Sequence, residues 1–157
     1  MKTAKILLAA MATICAMTVL SCSKDTEESS GTGAARTIEG SYKGDIDCSV
    51  MGSVTTFEDT TFAITAEDDS TVTIVLPPFG EAPMALPSIT IPNVKVTENA
   101  GVVTLVQTET SGTTDNDKAY TCTLSGSVEN NTLDIRFNLT YGAMPMPMIC
   151  SSRALKL

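Results

Sequence analysis

An all-β fold, an eight-stranded antiparallel up-and-down barrel, is what this sequence predicts. Three observations carry it. From about Glu39 onward, apolar and polar residues alternate with a period of two in short runs. Turn segments separate the runs at regular intervals, among them Met51-Gly52-Ser53, Glu67-Asp68-Asp69-Ser70, Asn99-Ala100-Gly101 and Glu129-Asn130-Asn131. No amphipathic helical pattern lies between them. Strands joined only by short connections make a meander, and eight of them can close on themselves to remove both edges. A two-sheet sandwich is the alternative packing of the same strands. The 157 residues allow one domain, and 24 Thr with only 18% charged residues lean towards strands.

The N-terminus reads as an address. Lys2 and Lys5 precede the apolar run from Ile6 to Leu20, which is too short to span a bilayer comfortably and suits a signal-peptide core. The run ends in Val19-Leu20-Ser21-Cys22, which resembles a bacterial lipobox. That resemblance implies cleavage of residues 1–21 and lipidation of Cys22, giving a membrane partner held through acyl chains rather than a helix. Ser23-Lys24-Asp25-Thr26-Glu27-Glu28 resembles the acidic export signal of Bacteroidetes lipoproteins displayed on the cell surface. It implies an outer-membrane, surface-exposed location. Residues 22–38 are expected to be a flexible acidic tether, and 39–157 the barrel. Loss of the signal removes Lys2 and Lys5 and leaves a net charge of −10 on 136 residues.

The strands follow in order. Tyr42, Gly44, Ile46, Cys48 and Val50 share one face of the first, with Lys43, Asp45, Asp47 and Ser49 on the other. In the second, about Val54 to Ala66, Phe57 is out of phase with Phe62 and Ile64, which predicts a bulge near Glu58-Asp59. Val72, Ile74 and Leu76 form a third, stopped by Pro77-Pro78. Phe79 to Pro87 is an irregular apolar loop. Ile89 to Thr97 resumes the extended pattern, with Pro92 marking an edge or bulge. Val102 to Thr108 follows, then a polar loop from Ser111 to Lys118. Tyr120 to Val128, Leu133 to Tyr141 and about Met146 to Leu155 complete eight.

With these residues in hand, the chain resembles the calycin-like lipoproteins of gut Bacteroidetes, a lipocalin-related barrel family. The resemblance rests on Gly40-Ser41-Tyr42-Lys43-Gly44, Leu76-Pro77-Pro78-Phe79, Ile89-Thr90-Ile91-Pro92-Asn93-Val94 and Tyr141-Gly142-Ala143-Met144-Pro145-Met146-Pro147-Met148. It implies a calycin-type barrel on a lipid anchor and carries no reaction with it. In lipocalins, a Trp after the first Gly is covered by an Arg from the last strand. Here Tyr42 takes the Trp position and Arg153 lies in the last strand, so the resemblance implies that Arg153 packs across Tyr42 in a structural cation–π contact.

Several function classes drop out. With no His, Ser-His-Asp and Cys-His nucleophiles and every His-containing metal site are excluded. The acidic balance argues against nucleic acid. Cys48, Cys122 and Cys150 remain in the body, and closing a barrel places the first strand beside the last, so Cys48 and Cys150 are candidates to lie side by side as buried thiols or a disulfide. Asp45 with Asp47, Glu67-Asp68-Asp69 and Asp115-Asn116-Asp117 are acidic groups, but none has calcium-loop spacing, and no metal or other cofactor is expected. Asp59-Thr60-Thr61 and Asp69-Ser70-Thr71 resemble the acceptor of Bacteroidetes O-glycosylation.

Flexible thioethers beside proline-stiffened backbone suit an adaptable apolar mouth, so Phe79, Met84, Leu86, Met144 and Met146 are the candidate ligand-binding residues. The alternative is that the same loops plug the barrel end. The functional expectation is a non-enzymatic, surface-anchored module binding a small apolar ligand. The second reading is a filled barrel with a structural or protein-partner role.

Overall fold

Eight strands close into one antiparallel barrel in the order β1 to β8, each bonded to its neighbours in sequence and β1 to β8. The structure, a computed structural model, describes residues 33–82 and 85–157. The expected signal peptide, the lipidated Cys22, the tether up to residue 32 and Met84 lie outside the described residues. The strands are β1 (Gly40–Val50), β2 (Ser53–Ala66), β3 (Thr71–Leu76), β4 (Ile89–Asn99), β5 (Val102–Thr113), β6 (Ala119–Glu129), β7 (Thr132–Tyr141) and β8 (Met148–Lys156). The sandwich alternative is thereby excluded.

Alternation decides which side chains enter the lumen. In β7, Leu133, Ile135, Phe137, Leu139 and Tyr141 are buried while Asp134, Arg136, Asn138 and Thr140 are exposed. Tyr42, Phe62, Phe137 and a set of Ile and Leu residues are the largest fully buried side chains, and they fill the lumen. Where side chains are too small to keep strands apart, backbones come close. Inward-facing Gly44 lies opposite Ala154, and Gly126 opposite Ile135.

The bulges fall where the phase breaks. Gly44 pairs with Thr60 and Ile46 with Phe57, so Glu58 and Asp59 together oppose Asp45. Asp59 takes a left-handed conformation (φ 59°), and its N–H donates to Asp45 Oδ1 at 3.0 Å. Pro92 and Asn93 form a second bulge opposite Thr73, with Asn93 at φ 59°. The polar loop expected from Ser111 is shorter than the sequence suggests. β5 continues to Thr113, because its backbone still finds β6 partners from Ala119 to Tyr120.

The tether boundary is corrected. Residues Ala34–Ile38 form a short helix, α1, and Ala35 and Ile38 are buried against the barrel. Five residues cannot hold a helix alone, and α1 is held from outside itself. It packs against β2, β4 and β5. The Ala35 N–H donates to Asp69 O at 3.2 Å, Arg36 pairs with Asp69 at 2.7 Å, and Tyr42 Oη donates to Ile38 O at 2.7 Å. This end of the barrel, which carries the β2–β3, β4–β5 and β6–β7 turns, is its closed pole. The other end carries the longer β3–β4 and β7–β8 loops and is the mouth.

The expected Arg153–Tyr42 contact is also corrected. On β8 the inward phase is Met148, Cys150, Ser152 and Ala154, so Arg153 points outward, opposite Asp45 and Asp134 and 3.9 Å from Asp134 Oδ2. The cation over the Tyr42 ring is Lys156, which pairs with Tyr42 in register and lies 5.9 Å from the ring centroid. Its ammonium also donates to Thr37 O at 3.2 Å. The last strand therefore supplies a cation to the first strand's aromatic residue, three positions later than expected and with an amine in place of a guanidinium.

Candidate functional site

A cavity of about 240 Å³ opens at the mouth. Its walls come from five elements. Cys48 and Val50 end β1, Thr55 and Phe57 belong to β2 before the bulge, Phe79 and Leu86 come from the β3–β4 loop, Met144 lies in the β7–β8 loop and Met148 begins β8. The loop folds back over the barrel end because Phe79 and Leu86 exchange two backbone hydrogen bonds, at 3.2 and 2.8 Å, so both side chains turn inward and are buried. Phe79 sits between two other rings. Its centroid is 5.3 Å from Phe57 and 6.1 Å from Phe137, the latter nearly edge-on. This chain of rings runs from the cavity wall into the packed lumen. Ser53, Thr55 and exposed Glu81 supply polar atoms at the rim.

Of the residues expected from sequence, Phe79, Leu86 and Met144 meet on this cavity. Met146 does not; it is 42% exposed in the β7–β8 loop and outside the lining. The loop thus acts partly as a plug and partly as a wall. Cys48, Val50, Phe57 and Met148 are cavity residues that the sequence reading missed. Val50 and Met148 had a usable signal, since both share the inward phase of their strands at the mouth end.

Cys48 and Cys150 are directly opposite each other across the β1–β8 pair, and both are free buried thiols. A hydrogen bond from the Cys150 thiol holds the Cys48 pKa below that of an ordinary thiol, although burial opposes this. The same bond, with burial, pushes Cys150 far up. Cys122 lies on β6 opposite Thr110 and Leu139, and burial raises it to about 12. The acidic groups are placed otherwise. Asp45 and Asp47 face outward and accept hydrogen bonds from the Asp59 N–H and the Thr56 hydroxyl. Among the described residues no group of three or more Cys, Asp or Glu gathers as a metal-binding set. Thr60 is buried with its hydroxyl donating to Gly44 O at 2.6 Å, whereas Ser70 and its neighbours lie in an exposed turn.

The interior phenol and thiol carry a pH dependence. Burial raises Tyr42 to about 12 and Cys122 to about 12, from ordinary values of 10 and 9. Each raised group keeps its proton in the fold but loses it in the unfolded chain. Stability is therefore full below about pH 9 and falls as the pH rises towards 12, by about 1.4 kcal/mol per pH unit for each group titrating. Urea midpoints taken from pH 8 to 12 check this, and Cys122→Val is expected to make the decline that begins near pH 9 shallower without abolishing it, because Cys150 is raised as well. A flat stability profile across that range would contradict it.

A family model described as the calycin-like beta-barrel domain matches residues 38–150. A crystal structure of a "putative outer membrane protein" from Bacteroides fragilis superposes with a TM-score of 0.69 at 23% sequence identity, covering 80% of this chain and 53% of that one. The chain thus spans about half the length of that protein, and the likeness is one of fold. No curated protein matches the chain.

Proposed function

The chain belongs to the calycin-like β-barrel domain family, and from that premise we propose that it is a lipid-anchored outer-membrane protein that binds a small apolar ligand at the barrel mouth. One observation carries the ligand reading. The lumen is filled by side chains, yet a cavity of about 240 Å³ with largely apolar walls remains above it. A dry apolar cavity of about 150 Å³ is enough to bind benzene. The space therefore suits one or two aromatic rings or a short acyl chain. Phe57, Phe79 and the two thioethers would supply the contact, and Ser53, Thr55 and Glu81 would meet a polar end at the rim.

The entry point of the chain supports the same reading. Gly33 and α1 join the barrel at the closed pole, beside Asp69. The α1 segment therefore leaves the mouth uncovered for a ligand. Surface display rests on the acidic segment after Cys22, and a non-catalytic role rests on the sequence offering no acid–base pair with a plausible activator.

The second reading, a protein partner, has its own support. Met51, Val54, Met146 and Ile149 are 79%, 63%, 42% and 58% exposed, and all stand at the mouth end of the barrel. A naphthylamine-class fluorescent probe separates the two readings, helped by the absence of Trp from the chain. Saturable binding of about micromolar affinity is expected, weakened roughly tenfold by Phe79→Ala and unchanged by Met146→Ala. Absence of saturable binding, or indifference to Phe79→Ala, would leave the partner reading in its place.

A further inference from the structure

Pairing of β1 with β8 is the seam that turns an open meander into a barrel. Cys48 and Cys150 face each other on that seam, both turned inward, 5% and 1% exposed. Directly opposite residues on one sheet face have Cβ atoms about 4.5–5.5 Å apart. A disulfide needs about 3.5–4.5 Å, so a small approach of the two strands suffices. The two sulfurs are not equivalent. Cys48 forms part of the cavity wall, whereas Cys150 lies beside it, next to Phe137 on β7, and does not line the cavity. A reagent in the cavity therefore meets the Cys48 sulfur before that of Cys150. Access thus singles out Cys48 as the attacking sulfur, and the register places Cys150 to resolve it. Cys122 has no cysteine opposite it on either neighbouring strand.

We propose that Cys48 and Cys150 form a thiol–disulfide exchange site, in which Cys48 is the attacking sulfur, Cys150 the resolving sulfur, and a small disulfide entering the cavity the oxidant. In the first step the Cys48 thiolate attacks one sulfur of the incoming disulfide. A new S–S bond forms, the incoming one breaks, and the departing thiolate takes up a proton equivalent to that released by Cys48. In the second step Cys150 attacks the Cys48 sulfur and expels the remaining thiolate, which takes the Cys150 proton. Two protein thiols become one disulfide, and one small disulfide is reduced to two thiols. The product ties the first strand to the last and encloses a loop of about a hundred residues. The site stands on the geometry of the seam and on access through the cavity, and does not depend on the cavity's holding an apolar ligand.

The test exposes the reduced full chain to 2-hydroxyethyl disulfide, quenches with N-ethylmaleimide after unfolding, and maps every sulfur by peptide mass, so that Cys15 and Cys22 are assigned separately. A Cys48–Cys150 link is expected, with Cys122 alkylated and the melting temperature of the oxidised chain raised by about 10 °C. Cys150→Ala is expected to stall as a mixed disulfide on Cys48. Cys48→Ala is expected to form a mixed disulfide on Cys150 roughly tenfold more slowly or not at all. A link through Cys122, no link in the wild-type chain, or equal rates at the two sulfurs overturns the proposal. The wild-type map decides the pairing even if a variant fails to fold.

Discussion

Gly44→Ala is expected to cost about 3 kcal/mol of stability, the upper part of the usual range for overpacking, and to lower the melting temperature by roughly 10 °C. The reason is local and rigid. A Cβ added at Gly44 would overlap the Arg153 carbonyl oxygen and lie 2.7 Å from Ala154 Cα. Both are backbone atoms of β8, so no rotamer change relieves the clash. Relief requires β1 and β8 to part, and that pair is the closure of the barrel. Gly101→Ala is the control. Its Cβ would meet nothing within 4 Å, and its cost comes only from φ +83°, about 1 kcal/mol. Chemical unfolding followed by far-ultraviolet dichroism measures both, and amide exchange on β1 and β8 should rise selectively in Gly44→Ala. Equal costs for the two substitutions would show that the seam tolerates a methyl group and that the close approach is not limiting.

Phe137→Ala is expected to cost about 3–5 kcal/mol. Phe137 is 1% exposed, pairs in register with Leu124 and Cys150, and supports Phe79 from below. Its loss leaves a void that the surrounding strands cannot collapse into, because the closed ladder holds their spacing. The void also lies beneath the cavity. Probes one ring larger than those accepted by the wild-type chain are therefore expected to bind the variant, which probe titration alongside urea unfolding will read. A cost below about 1.5 kcal/mol would be that of a site able to repack, and would contradict a lumen filled in the way described.

The strands were legible because each reports its own burial by alternation, and even their irregularities left a trace. Phe57 falls out of phase with Phe62, and the bulge at Glu58–Asp59 is where the phase resets. Pro92 cannot donate to a ladder, and the chain bulges there. The short helix was not legible. Ala34–Ile38 has no side-chain cap, and its stability comes from Asp69, Tyr42 and the apolar surface it covers. The partner of Tyr42 was half legible. A cation from the last strand does cover the ring, but inward phase on β8 selects Lys156 and turns Arg153 towards Asp45 and Asp134. Phe79, Leu86 and Met144 were legible as apolar residues in loops. Their meeting with Val50, Phe57 and Met148 was not, since it depends on which strand ends reach the same pole.

By itself, then, the sequence determined the period of two, the turns that reverse the chain and the absence of His chemistry, because each of these is written in neighbouring residues. Tertiary structure alone decided which residues meet at the seam and where the lumen stays open. Cys48 meets Cys150, and Tyr42 meets Lys156, across more than a hundred residues of chain. Register between the first and last strands is set by the accumulated pairing and bulges of all the strands between them. No local pattern carries that sum. The cavity at the mouth is a consequence of the same closure: it is the space that eight staggered strands and one folded-back loop leave unfilled.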